Sequence, residues 1–410
     1  MIKQIFKIVW AQRRSNFLIW MELMLVSLLL WMVMDQLFGY FHRYSVPKGF
    51  DVENTYYVDF QMIPGRGIIG SPSKDSLIKT YKEPLLSLYD KVKRNPNVEV
   101  AAISQMSRPY NGGNSWGDIK AGKKNINVYL RYVDPEFFDV FRIPFLYGKT
   151  YQGADDSKVV VSKTVADSLF KSASNAVGKR CAIDGDTLTI AGVTDTYKYY
   201  DFANETPTIY RPMSVAYRWT LGNVFTPEIC IRLKDNASAD AIEKMKKELS
   251  NLGDSPYYLV DITSFDFLRS DYFKWTGEVQ SIKMSMAIIL FFLVNVLLGI
   301  VGTFWFRTEQ RKNEIGLRMA IGSLKSGLKS YFLTESLILL LLAVVPSAII
   351  TIQMRFFDVN VLGSWEQKIG IFILSGVATL LILAGMIMLG TWIPVRKASK
   401  IQPSEALHYE

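Results

Sequence analysis

Four apolar runs, each long enough to cross a bilayer, constrain this 410-residue chain more than any other feature. They occupy residues 17–38, 283–306, 331–352 and 369–393. Each supplies about 20 helical residues at ~1.5 Å rise, the length a ~30 Å hydrocarbon core demands. Inside lipid every backbone N–H and C=O must be satisfied within the segment, so each run reads as a helix. The fold class is therefore an α-helical membrane protein with four transmembrane helices. A large α+β extracytoplasmic domain, residues 39–282, fills the interval between the first and second helices. The other divisions are an amphipathic helix at 1–16, a loop at 307–330, a short outer loop at 353–368 and a tail at 394–410.

The first run follows Lys3, Lys7, Arg13 and Arg14, as a secretion signal would. It exceeds the ~7–15 apolar residues of such a signal, and bulky Met34, Leu37, Phe38 and Tyr40 occupy the place of a cleavage site. It reads as an uncleaved helix. Before it, Ile2, Ile5, Phe6 and Val9 recur at helical spacing, which suggests a helix lying in the inner interface. A plain extension of the first span is the alternative.

Orientation follows from lysine and arginine in the short loops. Arg307, Arg311, Lys312, Arg318, Lys325 and Lys329 follow the second run, and Arg396, Lys397 and Lys400 follow the fourth. Between the third and fourth stand Arg355 and Lys368, offset by Asp358 and Glu366. Both termini and the 307–330 loop are thus expected in the cytoplasm. The net charge of +9 is mainly this topological signal, which argues against a nucleic-acid partner.

In the outer domain, strands are expected at Tyr56–Phe60, Val98–Ser104, Val128–Val133, Lys158–Ser162, Thr187–Val193 and Glu228–Leu233. Helices are expected at Asp75–Arg94, after Asp134-Pro135-Glu136, at Thr164–Phe170 and at Ala239–Leu252. Such interleaving suggests two subdomains. Phe265–Ile282 reads as a helical stalk running into the second span. Cys181 and Cys230 both fall in this outer domain, Cys230 within an expected strand. Buried free thiols are the favoured reading, while the outer compartment also permits a disulfide between them.

Catalytic chemistry is sparse. The two histidines, His42 and His408, belong to different parts of the chain, and there is no CxxC or HExxH spacing, so neither a metal site nor a histidine triad is expected. Gly322–Gly327 followed by Leu328-Lys329 misses the P-loop register by one residue and lacks its strand context. No catalytic residue, cofactor or nucleotide site is assigned. Glu22 and Glu335 are ionisable residues inside spans, costly there and hence candidates for packing or partner roles.

The loop 307–323 is short, charged and helix-prone. Within it, Glu314-Ile315-Gly316-Leu317-Arg318-Met319-Ala320-Ile321-Gly322, followed by Leu333-Thr-Glu335-Ser, resembles the signature of FtsX/MacB-type ABC transporter permeases. The tail from Ile393 to Leu407 is similar to that family's C-terminal sequence. Val133-Asp-Pro-Glu-Phe-Phe138, Gly148, Val159–Ser162, Val177-Gly-Lys179 and Ala191-Gly-Val193 follow the MacB-like periplasmic pattern. The resemblance implies a subunit that pairs with a second permease, as homodimer or heterodimer, and binds cytoplasmic ATPases carrying ATP and Mg. Glu314–Gly322 would be the coupling helix docking on the ATPase, with Ile315 and Met319 in its groove and Glu314 and Arg318 at its edge. A periplasmic adaptor or outer-membrane channel would be further partners. The implied activity is mechanotransmission, ATP-driven movement of the outer domains for export of a drug, peptide or lipoprotein. The alternative is an FtsX-like regulator of a cell-wall hydrolase, which the size of the outer domain disfavours.

Overall fold

The computed structural model describes residues 7, 11, 13–63, 76, 78–152, 155–214, 228–310, 325–359 and 368–398. They fall into two units, Arg43–Glu278 and Met1–His42 with Val279–Glu410. In chain order the strands are β1 (Thr55–Met62), β2 (Val98–Gln105), β3 (Ser115–Ala121), β4 (Lys124–Val133), β5 (Phe145–Gly148) and β6 (Lys158–Ser162). Then come β7 (Arg180–Ile183), β8 (Asp186–Thr194), β9 (Thr208–Pro212), β10 (Glu228–Leu233) and β11 (Tyr257–Ser264). The α-helices are α1 (Arg13–Ser45), α2 (Glu83–Lys93), α3 (Phe137–Val140), α4 (Lys163–Phe170), α5 (Ala241–Leu249), α6 (Phe265–Thr276), α7 (Glu278–Gln310), α8 (Lys325–Phe356) and α9 (Ile369–Ala398).

In the Arg43–Glu278 unit, β11, β1, β10 and β2 form an antiparallel sheet in that order. All six residues of β10 are buried, as expected of a strand covered on both faces. One face sets Val58, Phe60, Ile103, Ile229 and Ile231 against α2 and α5. Helix α2 presents Leu85, Leu88, Tyr89 and Val92 at helical spacing and carries Pro84 in its first turn, where a missing N–H costs little. Each such aliphatic burial contributes roughly 1.5–3 kcal/mol. The opposite face, with Ala102 and Cys230, lies under an aromatic cluster.

The remaining strands make a different object. The order β4-β3-β7-β8-β6-β9 returns on itself, because β9 pairs in parallel with β4. The result is a closed six-stranded ring filled by inward residues such as Ile119, Val128, Val161, Cys181, Ile190 and Ile209. Helix α4 adds Val165, Ala166 and Leu169 to that core. Ring and sheet meet where β2 pairs β4 at Ser104↔Val133 and Gln105↔Tyr132.

Asp134 ends β4 beside this meeting point. Its Oδ2 accepts hydrogen bonds from Ile103 N and Tyr89 Oη, each at 3.0 Å, whereas its buried Oδ1 has no partner. Burial pushes its carboxyl up to about 7.

Two expectations need correction. Gly277, with φ +69, terminates α6, and α7 begins at Glu278, so the stalk is two helices and not one. Glycine takes this left-handed conformation without a Cβ penalty. The amphipathic helix expected to reach from Ala239 to Leu252 is confined to Ala241–Leu249. For the cysteines the favoured reading holds and the disulfide alternative falls: Cys181 and Cys230 are both free, buried thiols, one in the ring and one in the sheet's aromatic side.

The other unit holds α1, α7, α8 and α9. Each has 30 to 33 residues and contains a stretch long and apolar enough to cross a membrane. Its core joins Ile19, Leu23 and Leu30 of α1 to Leu339 and Ala343 of α8 and Leu383 and Ile387 of α9. Helix α7 is the least enclosed, with Leu290, Phe291 and Leu298 all more than 60% exposed.

Candidate functional site

The residues expected to couple the chain to an ATPase, Glu314, Ile315, Gly316, Leu317, Arg318, Met319, Ala320, Ile321 and Gly322, lie outside the described residues. Most of the 1–16 segment and the tail after Ala398 lie outside them too.

Helix α1 organises the membrane bundle through a polar stripe. Ser27 Oγ donates to Ser347 Oγ of α8 at 2.7 Å, and Trp20 Nε1 donates to Leu342 O at 3.0 Å. Toward α9, Trp31 Nε1 donates to Phe372 O at 3.0 Å, and Ser375 Oγ lies 3.5 Å from Asp35 Oδ1. Toward α7, Ser285 Oγ donates to Gln36 Oε1 at 3.3 Å. Small residues allow these approaches. A Cβ on Gly376 would stand 2.4 Å from Trp31, and one on Gly299 would stand 2.1 Å from a carboxylate oxygen of Glu22.

Glu22 thus seats its carboxylate in a notch of α7. Glu335 is on α8, 1% exposed. The two do not form one site. Counting back from the Ser27–Ser347 contact, Glu335 lies about 10 Å further along the bundle axis than Glu22 at ~1.5 Å per residue. The most enclosed carboxylate on α1 is Asp35, at 1% exposure, which the sequence reading did not single out. Its signal was available: an aspartate inside an apolar run is costly unless it faces protein.

The second constellation gathers the two chain segments that link the outer domain to the membrane helices. The incoming segment is 43–52, which continues α1, and the outgoing one is α6, which precedes α7. Both insert into the same aromatic cluster, the first with Phe50 and Val52, the second with Phe265 and Tyr272. Between them runs Tyr197-Lys-Tyr-Tyr-Asp-Phe202. Phe202 is flanked by Tyr44 at 5.4 Å and Phe273 at 5.5 Å between ring centroids. Tyr197 packs on Phe50 at 5.6 Å, and Tyr200 on Tyr272 at 5.3 Å.

Polar groups reinforce this arrangement. Lys198 Nζ donates to Arg43 O, to Val46 O at 3.2 Å and to Asp201 O at 2.7 Å, while its N–H donates to Lys48 O at 2.9 Å. The Asp201 carboxylate, 3% exposed, accepts from Arg269 Nη2 at 2.5 Å, from Arg269 Nε at 3.2 Å and from Tyr110 Oη at 2.9 Å. Lys48 Nζ stands 3.8 Å from it. Burial holds Lys198 down to about 8. For Arg269, burial works against the charge, but the Asp201 hydrogen bonds outweigh it and raise the guanidinium's pKa. Gly49, at φ +78, permits the incoming backbone to press on the 195–197 segment: a Cβ there would stand 2.0 Å from Thr196 O.

Four helices long and apolar enough to cross a membrane, with an α/β domain inserted after the first, give the layout of a multi-pass membrane protein. The family model for the MacB-like periplasmic core domain matches residues 36–248, more than half of the chain, and that for the FtsX-like permease C-terminal region matches 286–403. The chain belongs to the MacB/FtsX-type family of ABC transporter permeases. Among similar curated proteins is the probable syringafactin export ATP-binding/permease protein SyfD of Pseudomonas syringae pv. tomato. It is 25% identical over 293 residues, covering 69% of this chain and 42% of its own length. The macrolide export ATP-binding/permease protein MacB of Salmonella paratyphi A is 22% identical over 306 residues, covering 71% and 45%. The chain therefore spans less than half the length of these relatives. The crystal structure of the periplasmic region of MacB from Actinobacillus actinomycetemcomitans is 16% identical, with a TM-score of 0.34, covering 56% of this chain and 94% of that one.

Proposed function

We propose that this chain is the permease part of an ABC transporter of the mechanotransmission type. ATP hydrolysis, on an ATPase supplied outside these 410 residues, moves the outer domain through the two segments that join it to α1 and α7. The carrying observation is that both segments end in one aromatic core, so a displacement of either helix has a single recipient. Glu314–Gly322 is the docking helix in this reading, both termini face the cytoplasm, and a second permease subunit completes the membrane unit. Export fits better than hydrolase regulation, because the family match is to the MacB-like periplasmic core and the similar proteins are export permeases. A cargo of the drug, peptide or lipoprotein class belongs to this reading, and the similar proteins' names, syringafactin export and macrolide export, support export itself.

Gly316→Pro and Arg318→Glu test the docking helix. Each should abolish co-purification of the ATPase while membrane insertion persists, and retained binding in both would refute it. Orientation is read from Ser323→Cys and Lys123→Cys in intact cells. Only the second should react with an impermeant maleimide, and reversed labelling would overturn the topology.

A further inference from the structure

The segment Tyr197–Phe202 sits between the two membrane connections and holds each by different chemistry. We propose that Asp201 is a positioning residue, the pin that makes the incoming segment and α6 move as one part. The purpose of the pin rests on the permease reading above, but its test does not. Lys198 fixes the incoming side through backbone carbonyls of Arg43 and Val46, and ties it to the Asp201 carbonyl. The Asp201 side chain fixes the outgoing side through the Arg269 fork. Packing of Tyr44, Phe202 and Phe273 brings the two connections together but adds only a modest orientational preference. A two-point guanidinium–carboxylate contact sets the angle as well.

Stability is a poor explanation for such a pair, because a buried ion pair repays little more than its own desolvation. Its position is the informative part. Asp201 is reached from three separate segments, by Lys48, by Tyr110 and by Arg269. Eight residues after Arg269 the helix stops at Gly277, whose left-handed backbone separates α6 from α7. With the pin in place α6 follows the incoming segment. Without it, α6 is free to turn about Gly277 independently of residues 43–48.

The test uses the full-length chain in nanodiscs with spin labels on Pro47→Cys and Asp271→Cys, both exposed positions. The native cysteines are buried, so labelling is selective. The inter-label distance distribution should be narrow in the parent and widen at least about twofold in Asp201→Asn. That variant keeps an acceptor for Tyr110 and the backbone carbonyl for Lys198 but loses the charge that holds the fork. Arg269→Lys, which keeps the charge but not the fork, should give intermediate width. Asp201→Asn/Arg269→Gln should be no wider than Asp201→Asn alone, as expected of two residues acting as one unit. A control pair at Glu99 and Lys123 should stay narrow throughout. An unchanged 47–271 distribution in both single variants, or equal widening of the control pair, overturns the proposal. Loss of ATPase co-purification is measured separately, so failure of the permease reading leaves a distinct signature.

Discussion

Asp134→Asn isolates one buried carboxyl and has a calculable pH signature. In the fold this group titrates near 7 because burial penalises its charge; in the unfolded chain it titrates near 3.8. Between those values the unfolded chain releases the proton and the folded chain keeps it. Folding stability therefore falls as pH rises from about 4 to about 7, then levels off. A separation of about three pKa units corresponds to a loss of about 4 kcal/mol, at ~1.4 kcal/mol per unit. Asparagine remains neutral at every pH. It keeps an acceptor for Ile103 N and Tyr89 Oη but puts an N–H where Oδ1 has no partner, at a constant cost of about 1–3 kcal/mol. Near pH 4 the parent should thus be the more stable, and by pH 8 the order should reverse or vanish. The assay is urea unfolding of the full chain, followed by near-ultraviolet circular dichroism, to which the outer domain's aromatic cluster contributes. A stability difference between parent and variant that stays constant from pH 4 to 8 would show that Asp134 is ionised in the fold, and would refute the argument.

Other consequences are simpler to state. Gly49→Ala places a methyl on Thr196 O and forces a left-handed alanine, so it should destabilise the outer domain by roughly 2–4 kcal/mol, read as a lower urea midpoint. Arg232 donates to Val140 O, Glu53 O and Asp51 O, all from a buried position; Arg232→Met should cost about 3–5 kcal/mol in the same assay, and Arg232→Lys less. Cys181 and Cys230 should resist maleimide in the native chain and react together on unfolding, since burial raises both thiols and holds Cys181 at about 11. Gly299→Leu should expel the Glu22 carboxylate from its notch, read as increased mobility of a spin label on Leu298→Cys, an exposed position of α7.

Much of the architecture was legible because burial imposes a period. The apolar runs, β2, β6, β10 and α2 each carry an unbroken pattern set by which faces are covered. Strands β3, β5, β7, β9 and β11 were not foreseen. Gly117 interrupts β3, β5 has four residues of which three are exposed, and β9 ends on Pro212, so none shows a clean alternation. Closure of the ring depends on a parallel pairing between segments some eighty residues apart, which no local pattern encodes. The break at Gly277 was readable in principle, as glycine just beyond a helical run is a termination signal. The junction was hidden for another reason: Tyr197–Phe202 is neither strand nor helix, and its tyrosines, lysine and aspartate acquire meaning from residues more than sixty positions away on either side.

The adjacency of β1 and β11 governs how the outer domain bears load. The incoming segment feeds the start of β1, and α6 leaves the end of β11; Tyr56 pairs with Ser264 at that shared end. Pulling the two attachments apart would peel β1 from β11 one hydrogen-bonded pair at a time, the weak mode of a strand pair. Pulling them together draws both strands lengthwise against β10, where several pairs must yield at once. A domain tethered this way withstands repeated tugging provided its two tethers are never drawn in opposite directions.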